Sequence, residues 1–188
     1  MLEAMNALSS GSPRERLAVV VMGVSGSGKS TLATGIAGAL SLDSIDGDAL
    51  HLPQSVAKMA AGIPLADADR WPWLDRIAAK LADTEEYPLG LVVACSALKR
   101  SYRDRLRRAT SGLRFVFLDG PPDLIASRLD GRSGHFMPSA LLESQLQALE
   151  RPGDDEPDVL HLSIESSVDS LIRRAAQALK GPRPLRPP

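Results

Sequence analysis

Apolar positions fall into two alternating kinds of block along the chain. One kind is a compact run, as in "LAVVVM", "LVVAC", "FVFL" and "VLHLSI". Short continuous runs of about four to eight apolar residues suit strands buried on both faces. They predict strands at 16–23, 90–96, 113–120 and 158–164. The other kind is spaced for one face of a helix, as with Leu32, Ile36 and Leu40. It predicts helices at 29–40, 75–83, 98–110, 122–132, 138–150 and 167–180. Pro121-Pro122-Asp123 is a good helix start, and Pro72 between Trp71 and Trp73 suits another. Strands alternating with helices predict an α/β fold with a mainly parallel central sheet. Ligands of such sheets gather at the carboxyl ends of the strands.

The ends read differently. Residues 1–16 carry no period and are expected to form a flexible arm. Residues 181–188, "GPRPLRPP", hold four prolines and cannot continue a helix. Between them a single domain is expected over 17–180.

The first strand runs into "GVSGSGKST", Gly23 to Thr31, and a helix follows. G-x-x-x-x-G-K-S between strand and helix is a phosphate-binding loop. Glycines let backbone amides crowd a phosphate, and the helix N-terminus adds partial positive charge. Gly23, Val24, Ser25, Gly26, Ser27, Gly28, Lys29, Ser30 and Thr31 form the candidate nucleotide cradle. Lys29 is expected to reach the β- and γ-phosphates and Ser30 to ligate Mg²⁺. That identifies a P-loop NTPase fold.

Composition narrows the class. The 188 residues are 44% hydrophobic and 24% charged, with a formal net charge of -1. There is no overall basic field, so neither nucleic acid nor a membrane surface is expected as partner. Cys95 is the only cysteine, which excludes an internal disulfide. No apolar run reaches membrane-spanning length and no signal peptide is visible, so a cytoplasmic location is expected. A GTPase would read guanine with N-K-x-D, yet the only asparagine is Asn6. Asp119 at the end of "FVFLDG" is either a Mg²⁺ residue or a plain loop aspartate. The small size and the polar stretch after the first helix favour a small-molecule kinase.

That polar stretch opens with Asp46-Gly47-Asp48. If Asp46 ends a strand, Asp48 projects into the cleft beyond it. One carboxylate near Mg²⁺ and one near an acceptor hydroxyl would serve phosphoryl transfer; the other reading is a D-G-D surface turn. His51, Lys58, Asp69 and Arg70 follow, and so do the only two tryptophans, Trp71 and Trp73, at least one of which is expected to pack under an insert.

Six motifs together resemble the small P-loop gluconate kinases, relatives of the nucleoside-monophosphate kinases. They are G-V-S-G-S-G-K-S (23–30), D-G-D-x-L-H (46–51), K-M-x-x-G-x-P-L-x-D-x-D-R-x-P-W-L (58–74), C-S-A-L-K-x-x-Y-R-D-x-L-R (95–107), S-R-L-x-x-R-x-G-H-F (127–136) and L-x-x-Q-x-x-x-L-E-x-P (142–152). The resemblance covers about residues 17–180. Ser55 departs from it where an asparagine is expected.

The resemblance implies ATP and Mg²⁺ as cofactors, D-gluconate as acceptor and a homodimer. It implies a lid at about 128–137 and a helical substrate insert at about 48–74. Lys29, Asp48 and Arg132 would be catalytic, with Arg132 closing onto the transferring phosphate. Arg128 would lie near the adenine, and Ser30 and Asp46 near the metal. Asp48, His51, Lys58, Arg70, Ser96, Lys99, Arg103 and His135 would bind the acceptor, with Tyr102 close by. Gln145 is carried over from the last motif, although a helical glutamine ordinarily faces solvent. Arg105, Arg107 and Arg108 exceed what one site can use and are expected to be solvated. Two alternatives stand: a kinase of another small acceptor such as shikimate, and a non-catalytic nucleotide-dependent regulator.

Overall fold

The computed structural model describes residues 16–130 and 139–182. The expectations for the arm, for the tail from 183 and for most of the lid, including Arg132 and His135, lie outside the described residues. Five strands, β1 (Leu17–Met22), β2 (Asp43–Asp46), β3 (Gly90–Ala94), β4 (Arg114–Asp119) and β5 (Val159–Ser163), form one parallel sheet in the order β2-β3-β1-β4-β5. Every pairing is parallel, with Val20 opposite Val93 on one side of β1 and Phe115 on the other.

The central strands are apolar throughout because helices cover both faces of the sheet. Along β1 the side chains alternate. Val19 and Val21 join Leu32 and Ile36 of α1 (Lys29–Leu40) and Leu171 and Leu179 of α7 (Val168–Lys180). Ala18, Val20 and Met22 join Trp73, Leu74 and Ile77 of α3 (Asp67–Ala82) and Leu106 of α4 (Arg100–Arg107). Helix α5 (Pro122–Asp130) follows β4, and α6 (Ser139–Ala148) leads toward β5.

Three features depart from the periodicity. Strand β2, "DSID", is polar because it lies at the sheet edge, yet it ends at Asp46 as the D-G-D reading required. Helix α2 (Pro53–Ala60) lies in the insert that the resemblance makes helical, although the periodicity does not mark it; Pro53 supplies its first turn. Helix α3 starts at Asp67, and Pro72 lies inside it rather than at its start. The proline's missing N–H deprives one carbonyl near the helix N-terminus. At that end Asp69 Oδ2 accepts the Ala66 N–H at 3.0 Å, satisfying an otherwise orphan donor.

Candidate active site

Strand β1 ends directly in the phosphate loop, and α1 begins at Lys29. Two glycines show why the loop needs them. Gly23 has φ 143°, and a Cβ there would lie 2.7 Å from the Leu118 carbonyl oxygen. Gly28, at φ 96°, caps α1, and a Cβ there would project into open space at the mouth of the loop. The buried Ser27 hydroxyl has no hydrogen-bond partner among the described residues. A nest of this shape, with an orphan hydroxyl at a helix N-terminus, fits a nucleotide's phosphates. Lys29 Nζ donates to the Val24 carbonyl at 3.0 Å.

The D-G-D segment sits beside it. Asp46 ends β2, and its two oxygens have separate tasks. Oδ2 accepts the Ser30 hydroxyl at 2.7 Å, and Oδ1 accepts the Asp48 N–H at 3.0 Å. Ser30 and Asp46 are therefore in direct contact, and two adjacent oxygen donors of this kind suit Mg²⁺. The turn Gly47–Leu50 is a short 3₁₀ helix that leaves the Asp48 side chain 71% exposed. Trp73, fully buried, fixes that turn by donating its indole N–H to the Gly47 carbonyl at 2.7 Å. His51 stacks on Trp73 with centroids 4.3 Å apart, its Nε2 3.9 Å from Asp48 Oδ1. Burial pushes the His51 pKa down and outweighs the attraction of Asp48, so the ring is neutral at neutral pH.

Two chambers flank the phosphate loop. The first, of about 240 Å³, is lined by Gly26, Gly28, Thr31, Leu118, Arg128 and Val168. Arg128 is held there by a bond from its guanidinium to the Ile164 carbonyl at 2.8 Å. The second is a smaller cavity of about 80 Å³ that brings together Ser25, Lys29, Asp48, His51, Arg70 and Ser96. Arg70 donates to the Leu65 carbonyl at 2.7 Å and lies 3.4 Å from the Tyr102 hydroxyl.

The remaining predicted acceptor residues divide. Lys99 does not line the cavity: both oxygens of Asp67 hold its ammonium, at 2.7 and 3.0 Å, and its pKa is raised by that bond. The same carboxylate accepts the Tyr102 hydroxyl at 2.6 Å, which links Lys99 to the Arg70 side of the site. Lys58 is bound to Asp69 at 2.7 Å.

Arg103 is a correction. Its side chain is 1% exposed. It grips Glu156 with two nitrogens, at 2.7 and 2.5 Å, and donates its third to the Ala97, Leu98 and Glu150 carbonyls. With its donors so committed, Arg103 braces the loop that carries Ser96 and Lys99 and does not face an acceptor. Arg107 is not solvated either: it is 6% exposed and pairs with Glu156, Asp158 and Asp104. Asp119 takes the plain reading, bonded to Arg151 at 2.8 Å and to its own loop. The roles of Asp67 and Glu156 emerge only in the fold, because a carboxylate in a charged stretch carries no signal until its partners are placed. Gln145, carried over from the last motif although a helical glutamine ordinarily faces solvent, reaches the phosphate loop, where its Oε1 accepts the Ser25 N–H at 2.7 Å.

Fold and site together define a small P-loop kinase, with a nucleotide cradle on one side of the loop and an acceptor chamber on the other. Residues 19–152 match the family described as AAA domain. The chain is 50% identical over 154 residues to the gluconokinase of Gluconobacter oxydans, covering 82% of this chain and 86% of that one. It is 44% identical to the thermosensitive gluconokinase of Escherichia coli, over 85% and 86% of the two chains. A crystal structure of a gluconokinase from Sinorhizobium meliloti superposes with a TM-score of 0.80 at 48% identity, covering 88% of this chain and 93% of that one. The chain belongs to the gluconokinase family.

Proposed function

We propose that the protein transfers the γ-phosphate of ATP to the 6-hydroxyl of D-gluconate, giving 6-phospho-D-gluconate. The observation that carries this reading is the single small chamber that gathers Lys29, Asp48, His51, Arg70 and Ser96 beside the phosphate loop. In it Lys29 would neutralise charge on the transferring group, and Asp48, free to turn into the cleft, would orient or deprotonate the acceptor hydroxyl. Arg70 would hold the acid end, with Ser96 and the neutral His51 bonding hydroxyls. Lys99, neutralised by Asp67, would serve to hold that carboxylate against the Tyr102 hydroxyl. Ser30 and Asp46 would hold Mg²⁺, which supplies charge neutralisation between the phosphates. Arg132 and His135 are proposed, on the family pattern alone, for the phosphate and acceptor respectively.

Among the described residues no helix is long and apolar enough to cross a membrane. We place the protein in the cytoplasm as a homodimer, without nucleic acid as a partner; light scattering reads the dimer.

The reading is tested with ATP against a panel of gluconate, other sugar acids and shikimate. Gluconate is expected to give the highest kcat/KM, and folded Lys29→Ala to give no turnover above background. Preference for shikimate would reassign the acceptor. Nucleotide binding without turnover of any acceptor would favour a regulator.

A further inference from the structure

The peptide between Val24 and Ser25 is held at both ends. Its carbonyl accepts the Lys29 ammonium at 3.0 Å, and its N–H donates to Gln145 Oε1 at 2.7 Å. Gln145 Nε2 lies 3.3 Å from the hydroxyl of the same serine. A side chain 120 positions away therefore grips one peptide of the phosphate loop, and the catalytic lysine leans on the other end of that peptide.

The element that delivers Gln145 is firmly seated. Leu142 is buried in the core and Leu146 packs against it, one turn apart on α6. Just past the helix, the Glu150 N–H donates to the Leu98 carbonyl at 3.0 Å, and Glu150 Oε2 accepts the Arg100 N–H at 2.6 Å. Gln145 thus stands on a support tied to the loop that carries Ser96 and Lys99. It also lines the acceptor chamber with Ser25, Lys29 and Asp48.

We infer that Gln145 is a positioning residue: by locking the Val24–Ser25 peptide it fixes Lys29 where the nucleotide and acceptor chambers meet, and so directs the phosphate to the acceptor rather than to water. Without the glutamine the Ser25 amide loses its acceptor, and the peptide is free to rotate and carry the Lys29 contact with it. Grip on the diphosphate is spared, because the amides from Gly26 onward and the α1 N-terminus are unaltered. What suffers is the alignment of the γ-phosphate with the hydroxyl. Displacement of about 1 Å in such an alignment costs on the order of a hundredfold in rate. Water then takes the phosphate: the bond from the γ-phosphorus to the bridging oxygen breaks, a bond to the water oxygen forms, and ADP, phosphate and a proton leave.

This inference rests on the proposed reaction, and it is tested by three measurements on the full chain. They are ADP affinity by calorimetry, kcat with gluconate at saturating ATP, and the ratio of ADP formed to acceptor phosphorylated. Gln145→Leu is expected to lower kcat by roughly ten- to a hundredfold and to raise the ratio clearly above that of wild type, with ADP affinity nearly unchanged. Gln145→Glu keeps the side-chain length and an acceptor for the Ser25 amide, and is expected to bring the ratio back toward the wild-type value. Wild-type kcat and ratio in Gln145→Leu would overturn the inference. So would ADP affinity falling in step with kcat, which makes the residue part of nucleotide binding or of the fold. Failure of the glutamate variant to restore the ratio would also overturn it, since the Ser25 contact would not be what matters. If wild-type protein phosphorylates a different sugar acid, the acceptor assignment fails alone, and the ratio is read with that acid.

Discussion

Asp46 and Asp48 are two residues apart and chemically alike, but their surroundings separate them. Asp46 has both oxygens engaged, one with Ser30 and one with the backbone of Asp48, whereas the Asp48 side chain stands largely in solvent. Asp48→Asn is expected to lower kcat by up to about 10²-fold while ADP binds as before, the lower part of the range for a general base because phosphoryl transfer depends mainly on positioning. Asp46→Asn is expected to raise the Mg²⁺ concentration needed for half-maximal rate. Metal titrations of both variants check this, and a metal defect in Asp48→Asn instead would exchange the roles. Spacing alone leaves both a cleft reading and a surface-turn reading of D-G-D open; the fold brings Asp46 to Ser30 and leaves Asp48 exposed. Nor are the fates of Arg103 and Gln145 legible in the sequence. The motif resemblance points Arg103 at the acceptor and carries Gln145 over without a partner; only the fold brings Glu156 and Ser25 to them.

At the scale of elements, α4 and the segment before β5 are bound together by buried charge. Burial pushes the Glu156 carboxyl up, but hydrogen bonds from Arg103 and Arg107 overcome it and bring its pKa down to about 2. Removing one partner of a buried pair costs roughly 3–5 kcal/mol. Glu156→Gln is expected to lower Tm by about 6–12 °C, taking ~3 kcal/mol and a chain of this size. The sign with pH follows from the lowered pKa. The stabilisation is fully present above the ordinary value of 4.5 and is lost as pH falls toward about 2. Wild-type protein should therefore lose its advantage over Glu156→Gln across that interval, as acid unfolding curves would show. An unchanged Tm would mean that the network only fills space. The periodicity located α1 and α7 well because each turns one apolar stripe to the sheet. It missed β2 and the start of α3, where the strand lies at the edge and a proline sits inside a helix.

In the whole molecule, among the described residues, parallel strands carry three of the predicted functional segments to one end of the sheet. The phosphate loop follows β1, the D-G-D turn follows β2, and Ser96 follows β3. The alternation of strand and helix made this arrangement legible from the sequence, since parallel strands need crossovers and place their exits together. In the proposed reaction, charge would decide what the second chamber accepts. Arg70 lines it, with its guanidinium 5.8 Å from the centre of the Tyr102 ring and Lys99 beyond. An acceptor that lacks a carboxylate leaves this cation without its counterpart, and polar sites of this kind discriminate by up to about 10⁴-fold. The most direct test is kcat/KM for D-gluconate against D-glucose at saturating ATP and Mg²⁺. The account predicts gluconate preferred by at least about a hundredfold, with the difference collapsing in Arg70→Met. Equal values for the two sugars in the wild-type protein would contradict it.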